Sequence, residues 1–139
     1  SIPTAIAFKT YLEASVFDIL QFDIATSGFT EGRRICDLAY IYNKPVAIHS
    51  WGSAISIMAG IHFALTIPNS AFTEYCFMDH PINKYLFENE KIIITDGYIE
   101  APKSYGLGVK FDENLLSRFP YKEKINTMIL TSNNDIKLV

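Results

Sequence analysis

The apolar and polar positions of this chain fall into two rhythms. Residues 16–25, VFDILQFDIA, form an apolar run with β-branched members, which predicts a buried parallel strand. Gly28 ends it, and Thr30-Glu31-Gly32 reads as the start of a helix that Thr30 can cap. Ile35, Leu38, Ala39 and Tyr42 then recur at helical spacing, with Arg33, Arg34 and Asp37 nearer the solvent side. Asn43-Lys44-Pro45 stops that helix. Residues 46–50, VAIHS, predict a short strand, residues 53–66 a helix apolar nearly all round, and residues 71–77, AFTEYCF, a further strand.

Upstream, residues 2–7 read as a short strand or as a strand running directly into a helix over 8–15. Strands alternating with helices predict an α/β fold with a parallel sheet and right-handed crossovers. The texture changes from Met78 onward. Residues 91–113 read as strand and turn, with Asp96-Gly97 as a strong hairpin signal. A short helix is expected near 113–118, a last strand over 126–131, and a frayed tail from 132. The chain divides accordingly into 1–90, a series of βα units, and 91–139, an extension with a hairpin and a short helix.

Composition narrows the function classes. The 139 residues suffice for one ordinary domain, and 49% of them are hydrophobic, so a packed core is expected and disorder is not. The net charge of −3 and the lack of a basic stripe argue against a nucleic-acid partner. The uncharged stretch 50–70 contains Gly52, Gly60, His62, Pro68 and Asn69, and reads as a buried helix rather than a membrane span. Cys36 and Cys76 are the only cysteines and have no metal-type spacing; as free thiols they suit a reducing cytoplasm.

The candidate chemistry lies at Asp23, His49 and Glu74. Each ends or follows a β-rich segment, at intervals of 26 and 25 residues. One strand, one helix and two loops need about that length, so three consecutive parallel strands can deliver these groups to one sheet edge, where α/β proteins build active sites. Taken singly, each has a plainer reading: Asp23 as a turn cap, His49 as a backbone-bonded strand end, Glu74 as an ion-pair partner. His62 reads as a satisfied core histidine and His80 as loop surface. Ser50 and Trp51 follow His49 and are candidates to line a substrate pocket, though Trp51 could equally serve packing. Gly106 and Gly108 read as a turn rather than a phosphate loop.

The motifs DILQFDIATSGFTEGRRICDLA, KPVAIHSWGSA, IHFALTIPNSAFTEY and DGYIEAPKSYGLGVKFD, in this order and spacing, resemble the carboxy-terminal part of an enolase-superfamily enzyme of the mandelate racemase and acid-sugar dehydratase branch. The resemblance covers about residues 2–118. It implies a partial TIM-type (β/α) barrel, about its last three to four βα units, with a capping domain elsewhere in the polypeptide. It implies a small carboxylate substrate such as a sugar acid, and Mg2+ that stabilises the product of proton removal beside the carboxylate. His49 would be the general acid/base, Asp23 would orient it, and Glu74 would be protonated and donate to the substrate carboxylate.

The departures from that family pattern also carry expectations. The family's metal ligands belong to earlier strands, and its fifth-strand glutamate has no counterpart after IPTA here, so no metal ligand is expected in this chain. Ser27-Gly28 stands where the family has paired glycines. No lysine lies between Lys9 and Lys44, which with the His–Asp pair favours the racemase and sugar-acid dehydratase branch over the branches that use a lysine there. The parent polypeptide is expected to be an acid-sugar dehydratase, with a racemase or epimerase as the alternative, and the isolated chain to be inactive. A non-catalytic fragment or remnant that only binds or assembles is the other reading. A partial barrel exposes sheet edges, which predicts a homo-oligomer.

Overall fold

The computed structural model describes residues 2–76, 81–86, 92–121, 128–130 and 136–138. The chain enters as a helix, not as a strand. Thr4 is extended and its side chain accepts the Ala7 N–H, which starts helix α1 at Ala5–Glu13. A second acceptor comes from far along the chain: Glu31 Oε1 takes the Ala5 N–H at 2.8 Å. That bond, and Arg34 beside it, hold the Glu31 carboxyl below the usual carboxylate range.

The apolar run at 16–25 yields a shorter strand than its composition suggests. Ser15 turns the chain through a left-handed conformation, Val16 and Ile19 are exposed, and β1 spans only Leu20–Asp23. Asp23 then caps α2, Ile24–Ile41, so the helix begins before Thr30. Gly28 interrupts α2 with φ 72° and ψ 170°, a region open essentially to glycine, and the helix resumes beyond that kink. Strand β2 is Val46–His49, helix α3 is Ala54–Ala64, and β3 is Ser70–Thr73, ending before the predicted limit at 77. Helix α4, Pro81–Leu86, is an element that the sequence pattern does not predict.

The three strands form a parallel sheet in the order β1-β2-β3. Alternation along them separates two faces. Leu20, Phe22, Val46 and Ile48 pack under the helices with Ile24, Ile35, Cys36, Ala39 and Phe63. Gln21, Asp23, Ala47, His49 and Phe72 belong to the opposite face, where Gln21 is exposed and Phe72 is half exposed. This is an arc of a (β/α) barrel, helices outside and polar groups within.

Helix α3 explains its own uniform apolarity. Ala59 and Phe63 join the core beneath the sheet, while Ile57, Met58 and Ile61 meet Ile92, Ile99, Leu107 and Val109 of the later segment. It is buried from two sides, and among the described residues no helix is long and apolar enough to cross a membrane. His62 on this helix departs from expectation, since its buried Nε2 has no hydrogen-bond partner among the described residues.

The hairpin at Asp96-Gly97 forms as the sequence predicts. Its arms are β4, Ile94–Thr95, and β5, Tyr98–Ile99, and both turn residues have positive φ, as the tightest hairpin turns require. Helix α5 follows at Asn114–Arg118. Residues 128–130 and 136–138 form an antiparallel pair, β6 at Met128–Leu130 and β7 at Ile136–Leu138, so part of the expected frayed tail is strand. His80 lies outside the described residues.

Candidate active site

Parallel pairing brings Asp23 level with His49 on neighbouring strands. Asp23 Oδ2 lies 2.9 Å from His49 Nδ1, and Asp23 Oδ1 accepts the Ala25 N–H at 2.7 Å. One carboxylate thus caps α2 and orients an imidazole. A carboxylate only accepts, so the Nδ1–H donates to it, and in the neutral ring Nε2 is left with the lone pair. That free nitrogen faces the third group, with Glu74 Oε2 3.8 Å away. Glu74 follows β3 directly, and its N–H donates to Ile48 O at 2.9 Å.

Gln21 joins the group, although the sequence pattern does not single it out. Its Nε2 donates to Glu74 Oε1 at 2.6 Å, across the intervening strand. Ala47 pairs with Gln21 on one side and with Phe72 on the other. A methyl there leaves room for the amide to cross. The one sequence signal for Gln21 is its i, i+2 relation to Asp23, which places both on one sheet face.

An open cavity of about 410 Å³ is lined by His49, Ser50, Trp51, Glu74, Tyr75 and Cys76. Trp51 is half exposed beside it. Ser50 borders the cavity but is 1% exposed, and its hydroxyl lies against Gly60 of α3 with no hydrogen-bond partner among the described residues. The loop between β2 and α3 is held from α4. Asn83 Oδ1 accepts the Ala54 N–H at 2.7 Å, and its Nδ2 donates to Gly52 O at 3.3 Å. Ser53, at the N-cap, makes no side-chain cap bond, so Asn83 caps the helix from 29 residues away.

Among the described residues, no group of three His, Cys, Asp or Glu side chains is placed to hold a metal ion. The donors are also committed elsewhere, since Asp23 and His49 already bond each other and Glu74 is engaged by Gln21. A magnesium ion, which needs several oxygen ligands, does not fit this set.

Residues 1–115 match the family described as enolase C-terminal domain-like. A D-xylonate dehydratase of Haloferax volcanii is 37% identical over 108 residues, covering 75% of this chain and 25% of that protein. Among solved structures, an enolase-superfamily member from a Polaromonas species superposes with a TM-score of 0.75 at 29% identity, over 87% of this chain and 32% of that one. A 3,6-anhydro-D-galactonate cycloisomerase from Zobellia galactanivorans gives 0.73 at 30% identity, over 86% and 34%. The chain spans about a quarter to a third of the length of these relatives. Its three βα units are part of a TIM-type barrel, and the chain belongs to the enolase C-terminal domain-like family.

Proposed function

We propose that this chain supplies the proton-transfer side of an enolase-type active site that removes the proton next to the carboxylate of a sugar acid, leading to dehydration. The observation that carries this is a carboxylate-oriented His49 whose Nε2 faces Glu74 in the lining of one open cavity. The dehydratase relative adds the reaction class.

An α-proton beside a carboxylate is weakly acidic. Its removal needs a base within hydrogen-bond reach and stabilisation of the charge that develops. His49 Nε2 takes up or delivers the proton, and Asp23 fixes the tautomer and stabilises the imidazolium. Glu74, carrying a proton, donates to the substrate carboxylate. Ser50 and Trp51 form the wall on the His49 side. Magnesium in the family supplies Lewis-acid stabilisation of the substrate carboxylate. The described residues offer it no site.

The sheet's inner face and its two outer edges also favour assembly. Edge strands unpaired among the described residues and the half-exposed Phe72 suit a homo-oligomer or a completed barrel. Free rather than bridged cysteines suit the cytoplasm. An isomerase is the second reading, favoured by the cycloisomerase relative, because the same proton removal serves both outcomes.

Trp51, the only tryptophan, reports ligand binding in the cavity. Titration with a panel of C5 and C6 aldonates and aldarates, with and without magnesium, is expected to change its emission saturably for at least one acid. Glu74→Ala is expected to abolish that change, and His49→Ala to abolish magnesium-dependent turnover by the full-length polypeptide. The absence of both binding by this chain and turnover by the full-length polypeptide, for every acid, overturns the reading.

A further inference from the structure

We infer that Gln21 is a positioning residue that holds Glu74 away from His49, so that Nε2 stays open to substrate. This rests on the roles proposed above for His49 and Glu74 and adds a residue to them. Glu74 has two oxygens with different partners. Oε1 accepts from Gln21 Nε2 at 2.6 Å, while Oε2 stands 3.8 Å from His49 Nε2. The first is a full hydrogen bond and the second is too long to be one.

The asymmetry needs a cause, because Glu74 in the protonated form proposed above gains by closing on the imidazole and donating its O–H to the Nε2 lone pair. Nothing covalent prevents closure, and the Glu74 side chain is 42% exposed. The Gln21 amide is the polar contact that opposes it. Its reach depends on Ala47, the small residue between the two on the sheet face. Asp23 is committed to Nδ1 and to the Ala25 N–H, so it cannot substitute. With Gln21 removed, Glu74 Oε2 closes on Nε2 and occupies the nitrogen that has to move the proton.

The test needs no substrate. Diethylpyrocarbonate acylates free imidazole nitrogen, and peptide mass spectrometry separates His49 from His62 and His80. Gln21→Met keeps length and bulk but lacks the donors. It is expected to slow acylation of His49 about two- to fivefold, the order of what one net hydrogen bond is worth. Gln21→Met combined with Glu74→Ala is expected to restore the wild-type rate, because nothing remains to close on Nε2. Circular dichroism confirms that each variant folds, and Gln21→Asn, too short to cross Ala47, provides a second variant with the same expected slowing. An unchanged or faster rate in the single variants, or no recovery in the double, overturns the inference. If these rates behave as expected while Glu74→Ala still binds sugar acids, the fault lies with the proposed substrate role of Glu74, and the positioning role of Gln21 stands.

Discussion

Asp23 divides its two carboxylate oxygens between a helix cap and an imidazole: Oδ1 receives the Ala25 N–H at 2.7 Å, and Oδ2 receives His49 Nδ1 at 2.9 Å. The two functions separate by substitution. Asp23→Ala loses both, and the missing cap costs about 0.5–2 kcal/mol. Asp23→Asn keeps an oxygen for the Ala25 N–H, so its melting curve should follow the wild type closely. Its exchange of substrate α-hydrogen with solvent should still fall by about a hundredfold or more, because the imidazolium loses its counter-charge. Equal exchange rates in Asn variant and wild type would remove Asp23 from the mechanism.

Asn83 should control the loop that carries Trp51. It satisfies the first N–H of α3 and the carbonyl of Gly52, and it is buried. Asn83→Ala leaves both groups without that partner, at a cost of about 1–3 kcal/mol. The loop should loosen, and acrylamide should quench Trp51 emission more efficiently than in the wild type. Matching quenching constants would show that α4 does not restrain the loop.

Cys36 predicts the shape of alkaline denaturation. Burial, and the nearby Asp37 charge, push its thiol from 9.0 up to about 12. Between those values an unfolded chain loses the thiol proton and the folded chain keeps it. The folded state therefore binds more protons, and stability present below pH 9 declines as pH rises, by at most about 1.4 kcal/mol per pH unit. Chemical denaturation of Cys36→Ala across about pH 8–11 should show a flatter profile. At about pH 8, Cys76, which borders the cavity, should react with a thiol reagent well before Cys36.

Gly60 and Ser50 should be coupled. A β-carbon on Gly60 would collide with the Ser50 hydroxyl, which has little room to move. Gly60→Ala should destabilise by about 1–3 kcal/mol through overpacking. Ser50→Ala alone removes a buried hydroxyl without a partner among the described residues, and should be neutral or stabilising. The double variant should be more stable than the two effects added, by about 0.5–3 kcal/mol. Additive melts would mean that the hydroxyl is free to turn aside.

The order of elements from α2 to β3, and the convergence of Asp23, His49 and Glu74, are legible in period and apolarity. Those features are consequences of local length and burial, which a single chain displays directly. Other features depend on partners distant in sequence. The start of α1 is bonded to Glu31, 26 residues away, and that of α3 to Asn83. Gln21 looks like one polar residue in an apolar strand, because its partner is 53 residues off. The overlong strand at 16–25 has a third origin. Its composition suits a strand throughout, but Ser15 and Asp23 set the ends with turn and cap geometry that hydropathy does not record.

The pairing that aligns the three groups has one irregularity, between β2 and β3. Val46 faces Ser70, Ala47 faces Phe72 and Ile48 faces Thr73, so β3 advances three residues while β2 advances two. Had the strands kept step, the residue brought level with His49 would be Thr73, and the carboxylate would overshoot by one place. Ala71 acts as a spacer shim: it takes up one residue of chain so that Glu74 arrives alongside His49. The phase between the two side chains is therefore set inside the sheet, and the helices that join the strands are free to differ in length without disturbing it.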